Sequence, residues 1–189
     1  MKKLLLILVF ALGLNADISL PDNFITDFNQ TITNDKGKKI NYYGNVVFKQ
    51  EKEIFISENG EEQEVISKLF KWNYKKPTHK EVCSDGVQLI VIDHDLEQVS
   101  KYLIDDGLDL QKVLQVAQKI SNKDYKAVYK DVEYLITLNN RGELEKIFYT
   151  DSLDNRVKIL FTNMVYNSKN FNDKFLECEI PDDYDIIEG

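Results

Sequence analysis

Positive charge, proline, glycine and cysteine are all scarce in this chain, and each shortage removes a class of protein. Lys and Arg total 24 against 32 Asp and Glu, a net charge of −8. Little is left to neutralise phosphates, so nucleic acid is excluded as a partner. Three Pro and eight Gly leave no low-complexity tract, repeat, linker or Gly-rich phosphate loop. The longest apolar run, Leu4 to Leu14, is too short to cross a hydrocarbon core, which needs about 20 residues.

That run reads as something else. Lys2 and Lys3 precede it and Leu14-Asn15-Ala16 follows, so residues 1–16 are expected to be a secretory signal peptide, leaving residues 17–189 as one mature domain. No cysteine stands at the expected cut, so no lipid anchor is expected there. Loss of the two Lys would make the mature chain more acidic still. The two cysteines, Cys83 and Cys178, then sit in an oxidising compartment. Both fall within predicted strands, so a bridge requires those strands to be adjacent. Two buried thiols are the expectation.

What is abundant is aromatic: ten Tyr and ten Phe, mostly in strand-like runs. Phe70, Trp72 and Tyr74 recur at the period of a strand with one buried face. Val46 and Phe48 share a face with Gln50 on the strand expected over Lys39 to Gln50. Ile54 to Ile56 and Glu64 to Ile66 flank Asn59-Gly60 as a hairpin. Further strands are predicted at His79–Cys83, Val87–Ile92, Glu97–Leu103, Tyr125–Tyr129, Val132–Leu138, Leu144–Thr150, Val157–Tyr166 and Lys174–Ile180. The acidic end, Asp182 to Glu188, reads as a solvated tail.

Two helices are predicted. Leu20, Phe24, Ile25 and Phe28 recur at helical spacing after Pro21. Leu110, Val113, Leu114, Ala117 and Ile120 line one face of the other, with Asp109 as candidate N-cap.

About ten strands at hairpin spacing imply one curved antiparallel sheet, an incomplete β-barrel with two or three short helices over its concave face. The interior is either a packed core or a cavity for an apolar ligand, and the pattern leaves both open. If it is a cavity, its expected lining is Val46, Phe48, Phe70, Trp72, Tyr74, Ile90 and Ile92. The expected lid residues are Phe24, Phe28, Leu110, Val113, Leu114 and Ala117.

A series of segments then resembles one family. FNQTITNDKGK from Phe28, GNVVFK from Gly44, LFKWNYKKP from Leu69 and VCSDGVQLIVIDHDLEQV from Val82 occur in that order. VKILFTNMVYN from Val157 and FLECEIPDDYDII from Phe175 follow. Together they are similar to LolA, the periplasmic carriers of bacterial outer-membrane lipoproteins, across the whole mature chain. The resemblance implies binding of acyl chains, no catalysis and no cofactor. It implies triacylated lipoproteins as cargo, an inner-membrane ABC-type releasing complex and an outer-membrane acceptor as partners, and a monomer.

Two departures stand out. The family commonly places Lys-Arg-Pro after the strand matching Gly44–Lys49, and that Arg is thought to latch the lid. Here Gln50 and Glu51 follow Lys49, or Ile66 takes the position if the gap falls after the inserted stretch, so no latch carries over. His94 replaces a Pro.

Other chemistry fails on geometry. Asp93, His94, Asp95 and Glu97 lie at a turn and point to different faces, a solvated corner rather than a metal site. His79 and Cys83, four strand residues apart, are separated by about 13 Å, beyond any nucleophile–base contact even with Asp85 near by. The alternative function is a lipid- or lipoprotein-sensing regulator on the same half-barrel.

Overall fold

A computed structural model of the chain describes residues 18, 20–57, 59–84, 86, 88–103 and 110–188. The expected leader and the N-cap Asp109 lie outside them. The described residues form one open sheet whose strands, numbered in chain order, run from edge to edge as β12 (Asp185–Glu188), β6 (Gln98–Leu103), β5 (Gln88–Asp93), β4 (Lys80–Ser84), β3 (Glu62–Lys76), β2 (Lys39–Ile56), β1 (Asn23–Thr33), β11 (Arg156–Tyr166), β10 (Leu144–Thr150), β9 (Val132–Leu138), β8 (Asp124–Tyr129) and β7 (Gln118–Lys119). Every pairing is antiparallel except β12 against β6.

β1 (Asn23–Thr33), β2 (Lys39–Ile56) and β3 (Glu62–Lys76) are the long central strands. β1 replaces the helix predicted from Leu20, Phe24 and Phe28. A spacing of four satisfies the helical period and is also twice the strand period, so those positions fit both. Thr26, Thr31, Ile32 and Thr33 tip the balance, because β-branched side chains prefer the pleated surface. In the strand, Phe24, Thr26, Phe28 and Gln30 all point inward and are buried.

β4 (Lys80–Ser84), β5 (Gln88–Asp93) and β6 (Gln98–Leu103) continue the sheet on one side. The helix α1 (Leu110–Gln115) is shorter than its apolar spacing suggests, because β7 (Gln118–Lys119) begins before Ile120. β8 (Asp124–Tyr129), β9 (Val132–Leu138), β10 (Leu144–Thr150) and β11 (Arg156–Tyr166) follow as a meander. Register shifts at Ile25/Asp27, Tyr43/Gly44 and Leu144/Lys146 are the bulges that bend it.

The C-terminal segment departs most from expectation. In place of a strand over Lys174–Ile180 there is a single 3-10 turn, Asp173–Leu176, and in place of a solvated tail there is β12 (Asp185–Glu188). Ile186 and Ile187 between acids read as a tail because the edge of β6 that receives them is invisible in local sequence. This segment runs back over the convex face of the sheet, not the concave one. Lys49 Nζ reaches Asp173 at 2.8 Å, Lys71 Nζ donates to the Glu177 carbonyl at 2.8 Å, and His94 Nδ1 lies 3.0 Å from the Tyr184 hydroxyl.

Cys83 and Cys178 form a disulfide here, with Cα atoms 6.4 Å apart, which corrects the expectation of two thiols. Cys178 is not in a strand, so strand adjacency never limited it, and the irregular chain brings it beside Cys83. Cys178→Ala is expected to lower unfolding stability by about 2–4 kcal/mol through the freed chain entropy. Urea titration with and without reductant checks this, and equal curves for the wild-type protein would contradict it.

Candidate functional site

The concave face is built in rungs. Phe24 pairs with Phe48, Phe48 with Phe70, Phe70 with Ser84 and Ser84 with Leu89, so one row crosses five strands on one side. The next row is Thr26, Val46, Trp72, Val82 and Val91. Directly opposed residues point the same way. Aromatic rings lie against one another along these rows: Phe24 on Phe48 at 5.0 Å, Phe28 on Trp72 at 5.0 Å and on Tyr74 at 5.1 Å.

Between this floor and the facing strands β10 and β11 lies a cavity of about 380 Å³. Val46, Phe48, Phe70, Trp72 and Tyr74 line it, as expected positions for a hollow. Phe24 lines it too, but as a residue of the floor; Phe28 packs beneath Trp72 and Tyr74. Neither belongs to a lid, because β1 is not a helix. Ile90 and Ile92 fall on the opposite face. Ile90 pairs with Cys83 and Ile92 with Glu81, while Leu89 takes the lining position. In a run where nearly every residue is apolar, both parities look alike, and a slip of one exchanges the faces.

One wall escaped the sequence reading. Ile147, Tyr149, Ile159 and Phe161 from β10 and β11 line the cavity. Their alternation with Lys146, Lys158 and Leu160 was readable as strand. That they face Trp72 depends on sheet order, which pairs β11 with the first strand of the chain.

α1 supplies the cover. Val113 and Leu114 are fully buried and Ala117 nearly so, all within the same apolar cluster as the concave floor, and Leu110 lines the cavity. Of the two or three helices expected on this face, α1 alone is present among the described residues. Lys112 of α1 and Lys68 of β3 also line the cavity. At the latch position, the Gln50 backbone N–H donates to the Asp22 carbonyl at 2.8 Å and its side-chain Nε2 to the Leu20 carbonyl at 3.5 Å, while Ile66 lines the cavity; neither side chain is charged.

Burial pushes the phenols of Tyr74 and Tyr149 up to about 12, with further repulsion from neighbouring tyrosines. Their raised values mean stability that is fully present below pH ~10 and lost as pH climbs towards ~12, on the order of 2 kcal/mol for each. Phenolate absorbance should show Tyr74 and Tyr149 titrating last, with Tyr134 and Tyr166, which burial also raises, delayed relative to the exposed phenols. A single transition for all of them would contradict this burial.

Catalytic or metal-holding geometry is sparse. The group of metal-ligand side chains close enough to share an ion among the described residues is Glu81, Cys83 and Cys178, and its sulfurs are bonded to each other. Asp93 pairs with Lys80 at 2.8 Å, and His79 stacks on His94 at 4.3 Å.

An open, curved sheet with an aromatic hollow and a helix lying over it is the architecture of a half-barrel. Residues 66–177 match the model of the family described as outer membrane lipoprotein carrier protein LolA, and the chain belongs to that family. Among curated proteins it is 28% identical over 188 residues, 99% of both chains, to an outer-membrane lipoprotein carrier protein of Campylobacter jejuni. It is 29% identical to one of Wolinella succinogenes, over 77% of this chain and 75% of that one. Among solved structures, a LolA superfamily protein from Nitrosomonas europaea aligns with a TM-score of 0.47 at 11% identity, covering 86% of this chain and 93% of that one.

Proposed function

We propose that the hollow is an acyl-chain site and that the protein is a non-catalytic periplasmic carrier of lipoproteins. It takes triacylated cargo from an ABC-type releasing complex in the inner membrane and gives it up to an outer-membrane acceptor. The observation that carries this reading is the cavity itself, roughly 380 Å³ walled mainly by aromatic and aliphatic side chains. Its size lies within the range of about 300–1,000 Å³ that small-molecule sites occupy. The carrier names of the relatives from C. jejuni and W. succinogenes support the same reading.

The energetics fit the task. Exposing one sixteen-carbon chain to water costs on the order of 12 kcal/mol, at about 0.8 kcal/mol per CH₂. A lined hollow removes most of that cost. Release then requires that the empty hollow be tolerable, and α1 provides this by lying over it, with Leu110 and Lys112 in its lining, until cargo displaces the helix.

Trp72 is the chain's single tryptophan and lies in the cavity wall. Titration with a palmitoylated peptide should shift its emission to the blue and saturate. An unchanged spectrum at concentrations where the peptide binds by another measure would rule the cavity out as the site.

A further inference from the structure

The hairpin of β2 and β3 extends beyond its neighbours. β1 pairs with β2 only as far as Lys49, and β4 pairs with β3 only from Phe70. From Gln50↔Lys68 to Ile56↔Glu62 the two strands pair with each other alone. At about 3.4 Å per residue this arm projects roughly 20 Å past the neighbouring strands. An isolated two-stranded ribbon is marginal in water, yet this one carries large apolar side chains in the open. Ile54 is 66% and Ile56 72% exposed.

Their direction is informative. Val46 and Phe48 point into the hollow, so two-residue alternation aims Gln50, Lys52, Ile54 and Ile56 to the same side. Opposed residues share a side, so Ile66, Glu64 and Glu62 join them. Ile66 already lines the cavity, and Ile54 is its diagonal neighbour across the ribbon. Apolar positions therefore extend outward from the cavity as Ile66, Ile54 and Ile56, each opposed on the same side by Lys52, Glu64 and Glu62 respectively.

We propose that this arm is a second acyl subsite, an open track that holds the fatty chain the cavity cannot take. The proposal rests on the acyl-carrier reading above. Three observations favour a linear acyl chain as the occupant. The strip begins at the cavity wall, where Ile66 lines the hollow. It is one side chain wide, with the Lys52–Glu64 ion pair at 3.4 Å lying across it on the opposite diagonal to Ile54 and Ile66, and it is far too narrow for the ~800 Å² per partner of a stable protein interface. The tip carries Glu61 and Glu62, which an anionic bilayer surface would repel. The cavity volume of about 380 Å³ also sits at the low end for one drug-sized ligand, whereas triacylated cargo brings three chains.

The test compares a mono-palmitoylated peptide with a triacylated lipopeptide on the full chain, read by Trp72 emission. Ile54→Ser with Ile56→Ser should weaken the triacylated ligand about tenfold or more and the single-chain ligand less than about twofold. Ile54→Thr with Ile56→Thr, which keeps the strand preference, should act in the same direction. Val65→Ser, on the other side of the arm, should change neither affinity. Unchanged triacyl affinity in both double variants overturns the proposal and points to a protein partner on this face. Equal loss for both ligands, or an equal loss in Val65→Ser, also overturns it, because the arm would then only shape the cavity. If the wild-type chain binds neither ligand, the carrier reading itself fails.

Discussion

Leu114→Ala is expected to yield a protein that unfolds more readily and yet binds a palmitoylated peptide more tightly. Leu114 is fully buried among the concave-face residues. Truncating such a leucine leaves a void and costs about 3–5 kcal/mol. On the proposed mechanism that loss falls on the closed, cargo-free state, where α1 occupies the hollow. The liganded state, with α1 lifted, loses little. A ligand that no longer has to displace a well-packed helix gains affinity, about tenfold for every 1.4 kcal/mol by which closure is weakened. Urea unfolding and Trp72 titration on the same preparation separate the two effects. A variant that loses stability and affinity together would show that α1 forms part of the acyl site instead of competing for it.

Gly44→Ala should be the most damaging single-methyl change in the chain. Gly44 sits at the register shift between β2 and β3, opposite Tyr74 and beside Phe28. A Cβ there would overlap the Asn73 carbonyl oxygen and come within 2.8 Å of Phe28 Cε1. The carbonyl is backbone, and Phe28 is held between Trp72 and Tyr74, so neither neighbour has anywhere to go. Overpacking of this kind combined with a broken ladder costs about 4 kcal/mol or more, enough to abolish a marginal domain. Gly142→Ala is the comparison. Its φ of +80° is unfavourable for alanine, but nothing lies within 4 Å of the added carbon, so about 1 kcal/mol is expected. Thermal unfolding of the two variants should rank them in that order, and a folded Gly44→Ala protein of near wild-type stability would refute the packing argument.

Sequence reading recovered most of the strands and the aromatic floor, for a physical reason. The strands from Tyr125 to Tyr166 alternate cleanly and are parted by Asx and Gly turns, so period and boundaries agree. Phe70, Trp72 and Tyr74 carried their own parity. It failed where one pattern serves two structures. Phe24 and Phe28 at a spacing of four belong equally to a helix and a strand, and the solid apolar run ending in Ile92 has no visible parity. It also failed where the answer lies in another part of the chain. The edge that turns Ile186 and Ile187 into β12 belongs to β6, and the segment carrying Cys178 takes its place from Lys71 and Cys83. The Phe161 wall needed the pairing of β11 with β1, which joins nearly opposite ends of the chain.

A half-barrel left open has two raw margins, each a template on which another molecule could add a strand. Among the described residues the two outermost strands, apart from the free sides of the β2–β3 arm, are brief. One is four residues long, Asp185 to Glu188, bracketed by acids, and the other is the pair Gln118–Lys119. Short, charged borders discourage edge-to-edge polymerisation. At its two outermost strands the sheet can therefore stay unclosed without offering a long template for another strand.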